Sequence, residues 1–319
     1  MIGRQFPQTS PGGLMTEIVP LEYGKLSYRP LFLDYVRRYQ ALSELFAGDP
    51  FGSESWSTIA REVGAAVHPR AAVSRDLVEL NGQLGADAAA LSSIEALDSG
   101  ALAVVTGQQV GILGGPLYTL YKALSAVRLA RSASALLGRT VVPLFWMDTD
   151  DHDFEEIAQA HLLNASGELV SVRYEPENRG SRVPVGQLRL DPAIEKVIEA
   201  ASRALPQSEF QEELRASFEA YAPGRTLAEA FGSFLLRLTR GTGLVIVDPS
   251  RPALKRLAID LFRREIETGR ESHEKVRAST QKLVAAGYHA QVTPVDSQLN
   301  PTPRRASPST PASCCPRAW

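Results

Sequence analysis

The sequence predicts an α/β protein built on a doubly wound parallel sheet with helical insertions, and three stretches predict it. An apolar run at 102–105 leads through a glycine-rich stretch, 106–116, into a helical run in which Leu117, Leu120, Tyr121, Leu124 and Val127 share one face. A stop at Gly138-Arg139 is followed by a second apolar run, 140–146. A third, 244–249, ends in Asp248-Pro249 before a long charged helical stretch at 251–285. Strand-helix-strand units join parallel strands by right-handed crossovers, and ligands gather beyond the carboxyl ends of those strands.

The remaining elements fall into order around this frame. Residues 1–16, rich in Gly, Pro, Ser and Gln, are expected to be a flexible N-terminus within which Met15 could be the true start. Residues 17–100 are a mostly helical region, with helical spacing at 30–46, 56–63, 74–84 and 86–96. Residues 101–175 form the first half of the core, including a short helix at 153–160 and a hairpin at 162–174 turning at 164–167. Residues 176–240 read as a helical insertion, opened by a polar turn at 179–184 and continued by helices at 194–204, 210–221 and 227–240. Residues 241–298 form the second half of the core. Residues 299–319, Pro-rich with no acidic residue and no aliphatic side chain larger than Ala, are either a disordered tail or out-of-frame translation.

Composition excludes more than it assigns. The 319 residues suffice for a sizeable core, and 34 Lys and Arg against 36 Asp and Glu leave no electrostatic footprint for nucleic acid or anionic lipid, so neither is an expected partner. The apolar runs are too short to span a bilayer and the N-terminus lacks a basic-then-apolar leader, which makes a cytoplasmic location the expectation. Cys314 and Cys315 are the two cysteines, so the folded body offers no thiol nucleophile, disulfide framework or cysteine-based zinc site.

Two stretches carry chemistry. In the first, Gly107, Gly111, Gly114 and Gly115 let a ligand approach the main chain, and the helix that follows starts with unpaired N–H groups suited to a phosphate or carboxylate. Lys122 lies well inside that helix, so this is not a P-loop, and the glycines do not form a dinucleotide fingerprint. A merely tight strand-to-helix turn is the competing reading. Gln108 and Gln109, each with one acceptor and two donors, favour a ligand-binding loop.

The second is 148–156, Asp-Thr-Asp-Asp-His-Asp-Phe-Glu-Glu, which emerges on the same sheet edge because it too follows a parallel strand. Its carboxylates could hold Mg²⁺ on a nucleotide or a substrate ammonium, and His152 could donate to a phosphate or shuttle a proton. Against this, Asp151 or Asp153 could simply cap the next helix. His68, His161 and His273 read as surface or packing residues, His289 is a lesser candidate, and no pair has metal-ligand spacing, so no metal ligand is assigned.

Thr106-Gly107-Gln108-Gln109, with Gly114-Gly115-Pro116-Leu117-Tyr118-Thr119 and Tyr121-Lys122-Ala123, is followed by Phe145-Trp146 and Asp151-His152-Asp153-Phe154-x-Glu156. This combination closely resembles the bacillithiol biosynthesis cysteine-adding enzymes, a cysteine ligase family. Weaker likenesses at 31–35 and 287–292 extend the resemblance over nearly all of 20–298. It implies a Rossmann-like core resembling that of class I aminoacyl-tRNA synthetases, and homodimers formed through a C-terminal coiled coil that this chain lacks. The implied reaction joins the cysteine carboxylate to the amine of glucosaminyl-malate, with ATP activating the carboxylate and Mg²⁺ accompanying it. On that resemblance Thr106, Gly107, Gln108, Gln109, Gly111, Gly114, Gly115, Tyr118, Lys122 and Trp146 bind nucleotide or substrate. Asp151, His152 and Asp153 orient the reacting groups.

Two departures qualify the implication. Asp148 stands where the family has a small residue and Asp150 where it often has Glu, so neither is assigned a catalytic role. Family members also continue well beyond position 300, so this chain is expected to be impaired or inactive as a ligase. The alternative is a nucleotide- or sugar-phosphate-binding protein using the same two loops without ligation. A tRNA-related role rests on fold analogy alone, and the balanced charge opposes it.

Overall fold

The computed structural model describes residues 25–177 and 183–292; the expected flexible N-terminus, the start of the polar turn at 179–184 and the tail at 299–319 lie outside them. The chain divides into two compact units, 60–257 and a second made of 1–59 with 258–319. The charged stretch at 251–285 is two helices, and the division falls between them.

In chain order the helices and strands are α1 (Pro30–Arg37), α2 (Ser53–Ala65), α3 (Arg70–Leu84), α4 (Ala88–Asp98), β1 (Leu102–Gln109), α5 (Tyr118–Leu137), β2 (Val141–Asp148) and α6 (Phe154–Ile157). They continue as β3 (Gln159–Leu163), β4 (Leu169–Arg173), α7 (Ala193–Ala204), α8 (Gln211–Phe218), α9 (Leu227–Leu238), β5 (Val245–Val247), α10 (Pro252–Leu257) and α11 (Ile259–Ala285). The helix expected over 30–46 stops at Arg37, because Arg38 adopts φ −138°, ψ 45°, and only a short 3-10 turn at Tyr39–Leu42 follows.

The larger unit holds a parallel sheet in the order β1-β2-β5, with Leu102 opposite Val141 and Leu144 opposite Val245. β1 and β2 are joined by α5, the expected crossover. Period-two alternation sends β2 side chains to two different cores. Phe145 and Met147 pack with Ala123 and Val127 of α5 and Phe231 of α9, whereas Val142 packs with Leu77, Ile94 and Leu97 of α3 and α4. Helices therefore cover both faces, which is the doubly wound arrangement.

β5 lies beside β2, on the opposite side from β1, so the run at 244–249 adds a third strand to the first half of the core rather than opening a second half. Its outer edge is closed by a side chain. Asn81 of α3, fully buried, accepts from the Ile246 N–H at 2.9 Å and donates to the Ile246 carbonyl at 2.9 Å, standing in for a neighbouring strand. The hairpin β3-β4 pairs antiparallel, and its turn is held by Asn164 Oδ1, which accepts from the main chain of Ser166 and Glu168. In the insertion, α9 begins with a full capping box, Thr226 and Glu229 bonding each other's main-chain N–H groups.

In the other unit, Tyr288 donates to Asp34 at 2.7 Å and Arg38 forms a bidentate pair with the same carboxylate. A cleft of about 790 Å³, lined largely by Pro30, Leu31, Phe32, Val276 and Leu283, lies beside this contact. Among the described residues no helix is long and apolar enough to cross a membrane.

Candidate functional site

The site grows from the parallel register. Gly107 faces Trp146 and Gln109 faces Asp148, and strand alternation puts all four on one face of the sheet at its carboxyl end. The helices below leave this corner uncovered, so Trp146 is 46% exposed. Thr106, Gly107, Gln108 and Gln109 are strand residues, not loop residues: β1 runs to Gln109, well past the 102–105 run that predicted it. Gly107 is needed for close approach, since a Cβ there would stand 2.6 Å from the Trp146 carbonyl oxygen.

Gln109 reaches the acidic turn. Its amide nitrogen donates to Asp151 Oδ2 and, at 3.2 Å, to Glu156 Oε2. Carboxylates only accept, so the orientation of the amide is forced, and among the described residues its carbonyl oxygen has no partner. Asp151 Oδ1 accepts from the main-chain N–H of His152 at 2.6 Å and of Asp153 at 3.3 Å. The sequence thus brings Gln109 and Asp151 together across 42 residues.

The other two members of the acid-histidine set bond through the main chain. Asp153 accepts from the Glu156 N–H and is the N-cap of α6, the structural role weighed against catalysis for it. His152 is exposed, its main-chain N–H being the part tied to Asp151.

Gln108 points to a second cluster on α5. It donates to the Tyr118 hydroxyl at 3.0 Å and accepts from Lys122 Nζ at 2.8 Å, while Lys122 also donates to the Gly107 carbonyl at 3.3 Å and lies 5.3 Å from the Tyr118 ring centroid. Lys122 is held beside the helix start, within reach of an anion there.

The glycine turn is locked by a residue the sequence did not single out. The fully buried Tyr221 hydroxyl accepts from the Gly114 N–H and donates to the Gly111 carbonyl, both at 2.8 Å. Gly114 and Gly115 take φ 88° and φ 68°, and between them and Gly111 the buried Leu113 adopts φ 52°, rare for a side chain of its kind. Gly114 is therefore a structural position, with its N–H occupied, and not a free donor for phosphate.

Asp148 is exposed as a residue, yet its carboxyl is held above the usual carboxylate range, first by partial desolvation and then by the charges of Asp151 and Asp150. A carboxyl raised in the folded state favours folding at low pH, and that contribution is lost as pH rises through the raised value. Asp148→Asn is accordingly expected to raise the melting temperature at pH 7 only slightly, because solvent screens this exposed position, and to have no effect near pH 3, where the unfolded carboxyl is also protonated. Thermal unfolding of both proteins across that range checks the crossover.

Two further residues buttress the edge. Thr149, buried, donates to Asp248 Oδ1 at 2.7 Å, and the same oxygen accepts from the Ser250 N–H and hydroxyl. Lys255 pairs with Asp150 at 3.0 Å. Beyond β5 opens a cleft of about 920 Å³ to which Arg189, Arg225, Arg251 and Asp248 contribute. Among the described residues no group of three or more His, Cys, Asp or Glu side chains is arranged to hold a metal ion.

A parallel sheet with helices on both faces, and two polar turns meeting over its carboxyl edge, defines the domain as Rossmann-like. The particular family follows from comparison: residues 16–300 match the model described as "Bacillithiol biosynthesis BshC, N-terminal Rossmann-like domain", and the chain belongs to that family. It is 38% identical over 271 residues to the "Putative cysteine ligase BshC" of Salinibacter ruber, covering 83% of this chain and 49% of that protein. Proteins of the same name from Koribacter versatilis and Desulforamulus reducens are 36% and 33% identical, covering 82% and 81% of this chain and 48% of each relative. The chain thus spans about half the length of the curated relatives it matches.

Proposed function

We propose that this chain is the Rossmann-like part of an amide-forming ligase that joins the carboxylate of cysteine to the amine of glucosaminyl-malate. The observation that carries the reading is the contact of Gln109 with Asp151 and Glu156, which places an uncommitted amide carbonyl and two carboxylates at one sheet edge. An amine substrate arrives as an ammonium and must become neutral to attack. The carboxylates attract the cation, the Gln109 carbonyl accepts one of its hydrogens, and Asp148, inclined to hold a proton, is the group suited to receive the one released.

A free carboxylate needs activation, and ATP would supply it by forming an acyl-adenylate with release of pyrophosphate; attack by the amine then releases AMP. The start of α5 and Lys122 fit the nucleotide phosphates. A Mg²⁺ accompanying ATP would be held by the phosphate oxygens, since among the described residues no group of three or more His, Cys, Asp or Glu side chains is arranged to hold one. A core like that of class I aminoacyl-tRNA synthetases, action in the cytoplasm and homodimers through a C-terminal coiled coil in full-length members belong to the same reading.

Incubating cysteine, glucosaminyl-malate and ATP with the full-length Salinibacter ruber relative should give the amide product by mass spectrometry. ATP binding by the relative without product from any amine would favour the alternative, a nucleotide- or sugar-phosphate-binding protein.

A further inference from the structure

The cleft beyond β5, about 920 Å³, has room for a small metabolite and opens where a parallel sheet takes its ligands, outside the carboxyl end of a strand. It shares no lining residue with the turn at 106–122. Four segments of the larger unit meet around it. They bring Gln83 from α3, Gln187 and Arg189 from the chain before α7, Arg225 and Thr226 from the entry to α9, and Arg251 from just past β5.

The three arginines are not equivalent. Arg251 is neutralised by Asp76 at 2.9 Å and Glu79 at 3.4 Å. Arg189 donates from Nη1 to the Gly224 carbonyl at 2.8 Å, and half-buried Arg225 donates to the Ala220 and Glu229 carbonyls at 3.1 and 3.2 Å and to the Ser233 hydroxyl at 2.8 Å. These acceptors are neutral, so they orient the two guanidinium groups without cancelling their charge. Among the described residues neither has a carboxylate partner, and the Nε of each keeps an uncommitted N–H. The main chain fixes their spacing. Arg189 faces Thr226 in an antiparallel bridge, the Leu190 N–H donates to the Arg225 carbonyl at 2.9 Å, and the Gly224 N–H donates to the Leu190 carbonyl at 2.7 Å.

Two carboxylates also reach the cleft, and both are satisfied by neutral donors. Asp248 Oδ1 accepts from Thr149 and Ser250, and Glu229 accepts from the Thr226 N–H in the capping box. They repel an anion toward the arginine end. We infer that this end of the cleft binds a small oxyanion carrying two negative charges, a dicarboxylate or a phosphate, through Arg189 and Arg225. The planar fork of a guanidinium matches the oxygens of either group, and a half-buried guanidinium lacking a counter-ion gains most from one. The inference concerns binding and does not depend on which reaction the protein performs.

Calorimetric titration of the 319-residue chain with succinate, inorganic phosphate and acetate tests it. Succinate or phosphate should bind at low salt with a Kd of about 1 mM or below, and acetate, with one charge, at least about tenfold more weakly. Whichever of the two dianions binds tighter identifies the natural chemistry as carboxylate or phosphate. Arg189→Gln, at an exposed position, should leave the melting temperature within about 1 °C yet weaken that dianion at least about tenfold. Hydrogen exchange locates the ligand: the tighter dianion should slow the amides of 186–189 and 224–228. Three results would each overturn the inference: no binding of either dianion at about 10 mM, equal affinity in Arg189→Gln, or protection confined to the start of α5.

Discussion

Gln109→Ala, made at the aligned position of the full-length Salinibacter ruber relative, is expected to lower amide formation by about a hundredfold, the usual cost of losing one preorganised polar group at a reacting centre. Asp151→Ala should do the same, and the double variant should be little worse than either, because the two side chains act through one hydrogen bond. Gln109→Glu should be the most damaging of the series, since it sets a third carboxylate against Asp151 and Glu156. Steady-state rates with product quantified by mass decide this. Near-normal rates in both alanine variants would move the reacting centre away from this edge.

The second large effect is on stability. Asp76 on α3 is 4% exposed and grips Arg251, just past β5, through Nε and Nη2 at 2.9 Å. Asp76→Ala strands a guanidinium whose side chain is 19% exposed, with Glu79 at 3.4 Å as its remaining partner. Breaking such a pair costs about 3–5 kcal/mol; with Glu79 in reach the lower figure applies, roughly 3 kcal/mol, or about 6–12 °C for a unit of this size. Replacing both partners, Asp76→Leu with Arg251→Met, should recover most of the loss, because the desolvation penalty leaves with the charges. Thermal and urea unfolding of the three variants test the pair; a loss below about 1 kcal/mol for Asp76→Ala would mean that solvent screens it.

What the sequence disclosed and what it withheld divide along physical lines. Strand, turn and helix around the glycines could be read because apolar periodicity changes from two to 3.6 across a few residues. The meeting of Gln109 with Asp151 followed from parallel strands delivering their carboxyl-end loops to one edge. The place of β5 was hidden, because a run such as Val245-Ile246-Val247 says that a strand is buried but not beside which neighbour. Asn81 was equally hidden: one asparagine in a helical stretch carries no mark that its amide will replace a strand. Asp153 could be read either as a catalytic acid or as a cap, since both roles ask for a carboxylate at the same point, and the structure shows the cap. Thr149 and Asp248 escaped notice because their bond joins the ends of strands 99 residues apart.

Tyr221 has a bearing on how the protein is made. The phenol that fixes the glycine turn is synthesised 107 residues after Gly114. At ribosomal speeds of about 5–20 residues per second, the turn emerges roughly 5–20 s before its clasp exists. Until then Leu113 has no reason to hold its left-handed backbone. The nascent sheet and α5 can assemble early, but the mouth of the crevice takes shape late, when the inserted helices close over it, so ligand affinity should be among the last properties a translating chain acquires.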